Sequence, residues 1–174
     1  MSILMTIDVE SIGLFGEAFA VAYVVTDTAG TLLDEGLFAC DPYRAAGTGA
    51  NRRWVLENVP AIEATHYDPR QVREAFWLSW ITWRERGAVM FAECSFPVES
   101  KFLTDCVTDS PSDREYLGPY PLHDIASLLL ASGRNPLDTY DRLPSEVPAH
   151  HPLCDARQSS RLLLECLSGE GLFA

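Results

Sequence analysis

Apolar and polar positions follow two rhythms along the chain, and the first is β-like. Met1 to Glu10 is an apolar run through Ile3, Leu4, Met5 and Ile7 that ends in two carboxylates. Glycines in Ser11-Ile12-Gly13-Leu14-Phe15-Gly16 predict a turn. Ala18 to Thr26 reads as a buried strand, Asp27-Thr28-Ala29-Gly30 as a tight turn, and Thr31 to Ala39 as a third strand. The chain thus opens as a three-strand antiparallel meander.

The second rhythm is helical. Asp41 to Asn51 reads as a loop, and Arg52 to Asn58 as a short helix. From Pro69 to Arg86 the period is that of a helix, with Pro69 in its first turn and Gly87 as its stop. Val72, Phe76, Trp77, Trp80 and Trp83 fall on or near one stripe. Such a stripe suits a core, or a contact between two copies, better than a base-stacking platform. Ala88 to Ala92 predicts a central strand, and Glu93 to Phe96 a loop. Pro97 then opens a helix containing Glu99, Phe102, Leu103 and Cys106. Thr108 to Tyr116 is polar and reads as a loop. A helix over Ile125 to Ala131 follows His123 and Asp124, with Asp124 as its cap and Gly133 as its stop. Asn135 to Ala149 has no period and reads as a long loop. Pro152 starts a last helix to Leu167, whose buried face is Leu153, Ala156, Ser160, Leu163, Leu164 and Leu167. Strands before and between helices predict an α/β fold.

Composition narrows the class. A length of 174 residues with 47% hydrophobic residues suits one domain, 1–174, with one core. No apolar run reaches the length needed to span a membrane, and no basic segment followed by an apolar one marks a signal peptide. The five cysteines are odd in number, widely spread and without a C-x-x-C pair. They suit the reduced thiols of a cytoplasmic protein. The formal charge of −12 excludes a broad basic face for long duplex nucleic acid. It leaves a small molecule, a short oligonucleotide end or a protein as partner.

Three places carry candidate chemistry. Asp8 and Glu10 are two apart on a strand, so both point to one face. Adjacent like charges repel and raise each other's pKa, and a divalent cation relieves them. Taken alone, a strand end dipping into solvent is the better account of them, so the metal reading needs further ligands from the chain. Glu99 lies at a helix start just past a central strand, where a carboxylate is favoured by the helix dipole. Glu93 and Asp105 are rivals for that role. His150 and Asp155 meet at the junction of a loop and the last helix, where His150 also has the plain reading of a surface histidine.

Taken in order, Asp8-x-Glu10, an acid after a later central strand, and His150-x₄-Asp155 resemble the DEDDh, or DnaQ-like, 3′→5′ exonucleases. The likeness runs from Met5 to Leu164. It implies the ribonuclease H-like fold, a mixed sheet of the meander plus parallel strands flanked by helices. It implies two divalent cations, Mg²⁺ or Mn²⁺, held by Asp8, Glu10, Glu99 and Asp155, with Asp8 bridging both. His150 matches the general base, with His151 the less apt alternative. Imidazoles titrate near about pH 6.5, so activity should fall below roughly pH 6. The family's second acid is an aspartate ahead of -x-x-Phe; here Glu99-Ser100-Lys101-Phe102 holds that place, one methylene longer. The asparagine common upstream of it is missing. Ser11, Ile12, Gly13 and Leu14 match the segment that contacts the terminal nucleotide. The resemblance therefore implies a phosphodiester hydrolase acting on 3′ ends of single-stranded RNA or DNA, or on short oligonucleotides, and a possible homodimer. The competing reading is a catalytically decayed nucleotide- or protein-binding module on the same fold.

Overall fold

The central strand of the sheet is the one that carries the two carboxylates. In the computed structural model, which describes residues 2–168, β1 (Ile3–Ser11) pairs antiparallel with β2 (Ala18–Asp27), and β2 with β3 (Leu32–Ala39). On its other edge β1 pairs in parallel with β4 (Ala88–Ala92), and β4 with a two-residue β5 (His123–Asp124). The order is β3-β2-β1-β4-β5. This is the mixed α/β sheet of the ribonuclease H-like fold. Met1, the first residue of the expected strand, lies outside the described residues.

Alternation along β1 assigns its faces. Met5, Ile7 and Val9 point into the larger core with Phe76, Trp77, Trp80 and Trp83 of α2 (Pro69–Arg84) and Phe102 of α3 (Ser100–Thr108). Leu4 points to the opposite face. It packs with Ile125 and Leu129 of α5 (Ile125–Ala131) and Leu162 and Leu163 of α6 (Pro152–Ser168). Asp8 and Glu10 share Leu4's parity, so they face α6. Their cross-strand partners are Ala22 and Ala20, and Ala22 packs against Ala156 of α6. These small residues let the last helix approach the sheet where the acids stand.

The tryptophans of α2 are core: Trp77, Trp80 and Trp83 are 3–7% exposed. Trp80 Nε1 donates to Leu117 O and Trp83 Nε1 to Asp34. They offer neither a stacking platform nor a surface for a second copy. Among the described residues no helix is long and apolar enough to cross a membrane.

Several boundaries differ from the expectation. The first helix, α1, spans Gly49–Asn58, because Thr48 caps it by accepting from Asn51 N at 3.2 Å. Within Thr108 to Tyr116 a single turn, α4 (Pro111–Arg114), is held by Arg114, which donates to Cys106 O and pairs with Glu74. Pro97 does not open a regular helix. A π-type turn, Ser95–Glu99, precedes α3, with Phe96 in an extended conformation. On α6, Leu153 and Leu164 are only partly buried and Leu167 is 49% exposed, so the hidden face turns toward Ser159, Leu162 and Cys166. The long loop before α6 is not loose. Glu146 is buried and accepts two bonds from Arg161 of α6, at 2.8 and 2.9 Å, and one from Leu143 N. Burial opposes the charge on Glu146, but these partners hold its carboxyl below the usual range.

Candidate active site

The parallel pairing of β1 with β4 brings the acids together. Ile7 lies opposite Ala92, so the chain leaving β4 runs alongside Asp8 and Glu10. That segment carries Glu93 and, after the π-type turn, Glu99 as the residue before α3. From the helical face α6 brings Asp155 in its first turn, with His150 just before it. Glu10, His150 and Asp155 each offer a ligand atom within 4.8 Å of the other two.

Electrostatics shows how crowded the acids are. Burial, then the charges of Asp155, Glu10, Glu99 and Glu93, push the Asp8 carboxyl well above its ordinary value. Burial, then Asp155 and Glu99, push Glu10 up to about 8. Burial also pushes Glu99 up to about 7, against the backbone amides of Glu99 and Val9, with Glu93 and Asp124 adding to the rise. Four of the acids named from the sequence, Asp8, Glu10, Glu99 and Asp155, thus share one site with His150. Of the rivals to Glu99, Asp105 pairs with Lys101 at 2.5 Å. Glu93 sits beside the cluster and accepts from Ser159 Oγ at 2.7 Å. Asp124 is the cap of α5, bonded to Ser127 and Ser95 N, and His123 stacks on Phe91.

The four carboxylates make a hard oxygen donor set, which suits Mg²⁺ or Mn²⁺. A divalent ion among these crowded, buried carboxylates would offset both their burial and their mutual repulsion. The residues present therefore fit a divalent ion.

His150 has a constrained backbone. Its φ is 62°, the left-handed region that non-glycine residues seldom adopt. Its N–H donates to Asp155 Oδ2 at 3.0 Å, and its ring meets the edge of Trp54, centroids 5.8 Å apart. The other Asp155 oxygen, Oδ1, accepts from Arg142 Nη1 at 2.6 Å.

The segment after Glu10 is held in place by its own bonds, and the cavities along it are lined by none of the five site residues. Ser11 Oγ donates to Gly13 O, Gly13 has φ 75°, and Leu14 is 62% exposed. Ile12, expected to contact the terminal nucleotide, is fully buried, and its N–H donates to Glu17 O. A Cβ on Gly13 would stand 2.2 Å from Asn51 Nδ2. Glu17 fixes the far end: it pairs with Arg73, which also forks onto Asp109, and it accepts from Ala46 N. Two cavities of about 430 and 480 Å³ share Phe15, Gly16 and Gly47 along this segment. Phe15 and Phe96 are both about 70% exposed and touch edge to face across it.

Sequence reasoning missed Arg142 and Trp54. Arg142 sits in an aperiodic loop, eight residues before His150, and Trp54 on a helix with one buried residue, Val55. Neither position carries a pattern that points to the site.

No family model matches the sequence, and no curated protein matches it. Solved structures do. Exonuclease I from Methylocaldum szegediense superposes with a TM-score of 0.69 at 16% identity, over 99% of this chain and 42% of that one. E. coli exonuclease I in complex with a dT13 oligonucleotide gives 0.65 at 8% identity, over 98% and 42%. A full-length 3′-exonuclease gives 0.54 at 15% identity, over 98% and 62%. The chain spans 42% of the length of the two exonuclease I proteins. At these identities the likeness is one of fold: the chain has the ribonuclease H-like fold of the exonuclease I and 3′-exonuclease structures, as its DEDDh-like motifs imply.

Proposed function

We propose that this chain is a metal-dependent 3′→5′ exonuclease that removes nucleotides from single-stranded ends or short oligonucleotides. The observation that carries the reading is the convergence of Asp8, Glu10, Glu99 and Asp155 on one another beside His150. Asp8, Glu10, Glu99 and Asp155 would hold two divalent cations, which when bound supply positive charge to the attacking and leaving oxygens of an in-line displacement. His150 takes a proton from the attacking water, and the resulting hydroxide adds to phosphorus. The bond from phosphorus to the 3′-oxygen of the upstream nucleotide breaks, and that oxygen leaves to be protonated. The product is a nucleoside 5′-monophosphate and a strand one residue shorter.

The left-handed backbone of His150, its bond to Asp155 and the Trp54 edge orient the imidazole. Ser11, Gly13 and Leu14 form a wall for the terminal nucleotide, with Ile12 buried behind them. A charge of −12 leaves no broad basic track, so binding is confined to a short stretch of strand and release follows each cut. The fold neighbour bound to dT13 accords with single-stranded substrate.

The second reading, a nucleotide- or protein-binding module without turnover, draws on Glu99 in place of aspartate and on the Arg142–Asp155 ion pair. Labelled single-stranded RNA and DNA, with Mn²⁺, Mg²⁺ or EDTA and a His150→Ala control, separates the two. Stepwise shortening from the 3′ end, lost with EDTA and in the variant, supports the exonuclease. A folded protein that binds Mn²⁺ and oligonucleotide without shortening it supports the module.

A further inference from the structure

Arg142 stands among the acids without a part in the reaction just described. Its Nη1 lies 2.6 Å from Asp155 Oδ1, and the other Asp155 oxygen accepts from His150 N at 3.0 Å. Both oxygens of a candidate metal ligand are thus already engaged. Among the described residues, no other lysine or arginine forms an ion pair with Asp8, Glu10, Glu93, Glu99 or Asp155. Among the described residues the guanidinium is the single cationic partner of this acid cluster.

The surroundings allow it to leave. The Arg142 side chain is 24% exposed, and its only other bond among the described residues, also from Nη1, is to Glu146 O at 2.7 Å. Its backbone neighbour is held independently. Leu143 N donates to Glu146, and Glu146 is clamped by Arg161 of α6. The side chain can swing to solvent while the loop stays on the helix that carries Asp155.

We propose that Arg142 is a built-in counter-cation: it occupies Asp155 when the site is empty of metal, and a divalent ion displaces it on binding. The arrangement keeps Asp155 and the His150 junction in place before metal arrives, at the cost of metal affinity, because the ion must break the Arg142–Asp155 pair to bind. Arg142 is a positioning residue that acts through Asp155. The inference rests on the metal-site reading above.

Direct Mn²⁺ titration by calorimetry tests it on the wild type, Arg142→Gln and Arg142→Lys, with melting curves in EDTA. Arg142→Gln should bind Mn²⁺ about tenfold more tightly and melt lower than wild type without metal. Arg142→Lys keeps the charge and should stay within about threefold of wild-type affinity. Equal or weaker Mn²⁺ binding by a folded Arg142→Gln protein overturns the proposal while leaving the metal site intact. Mn²⁺ binding by neither protein overturns the metal-site reading and this one with it. Should Arg142→Gln fail to fold, side-chain ¹⁵N resonances of arginine in the wild type decide. An Arg142 guanidinium freed to exchange on Mg²⁺ addition supports displacement; one that stays protected refutes it.

Discussion

The acids make the stability of the metal-free protein fall as pH rises. Glu99 moves from an ordinary 4.5 to about 7 on folding, and Glu10 from 4.5 to about 8. Between those values the folded chain binds more protons than the unfolded one, so the unfolding free energy decreases with pH. This contribution is complete below about pH 4.5 and is lost as pH passes through 7 and 8. At about 1.4 kcal/mol per pH unit, Glu99 alone carries about 3 kcal/mol. Protonating one acid relieves its neighbours, so the contributions of Glu99 and Glu10 do not sum. The ~3 kcal/mol of Glu99 alone amounts to a drop of roughly 6–12 °C in Tm for a chain of this length.

Melting curves in EDTA from pH 5.5 to 8.5 read this directly. Saturating Mg²⁺ should remove most of the slope, because a ligand bound only by the folded state stabilises it most where the acids are ionised. Glu10→Gln should flatten the slope and raise Tm in EDTA at pH 8. A Tm that is flat or rises with pH in EDTA, unchanged by Glu10→Gln, would refute the electrostatic account of the site.

Four further outcomes follow from particular contacts. Asp8→Asn should lose the Mn²⁺-dependent rise in Tm and the nuclease activity, while melting a few degrees higher than wild type in EDTA at pH 8, since it removes a charge crowded by four others. His150→Ala should lower kcat by about 10²–10⁴-fold with an unchanged far-UV spectrum. Glu146→Ala should cost about 1–3 kcal/mol in urea unfolding, because it unpins the loop before His150 and leaves the partly exposed Arg161 with only Glu165 and the Asp141 carbonyl among the described residues. Gly13→Ala should weaken oligonucleotide binding and lower stability by about 1–2 kcal/mol, since φ is 75° and the new Cβ meets Asn51.

The parts of the site that the sequence revealed are those where a short pattern sits on regular structure. Asp8 and Glu10 were legible because strand alternation puts them on one face, and β1 is a strand through Ser11. His150 and Asp155 were legible because Pro152 marks the start of α6. Glu99 was placed near its true position, although the turn before it is of π type rather than a regular helix start. What stayed hidden depends on long-range pairing. β5 is two residues long and exists only by pairing with Phe91 and Ala92. The start of α1 was lost because Gly49 and Ala50 bury nothing and only the Thr48 cap marks it. Arg142 reaches Asp155 through a loop whose course is set by Glu146 on Arg161, a contact 15 residues apart with no periodic trace.

The most direct test of the central claim is the length and polarity of products from a 5′-labelled single-stranded oligonucleotide. With Mn²⁺ the wild type should give a descending ladder that shortens from the 3′ end, with nucleoside 5′-monophosphates released. EDTA, Asp8→Asn and His150→Ala should each leave the strand intact. An intact strand with folded, Mn²⁺-loaded wild type, or cleavage that survives in Asp8→Asn, would contradict the account.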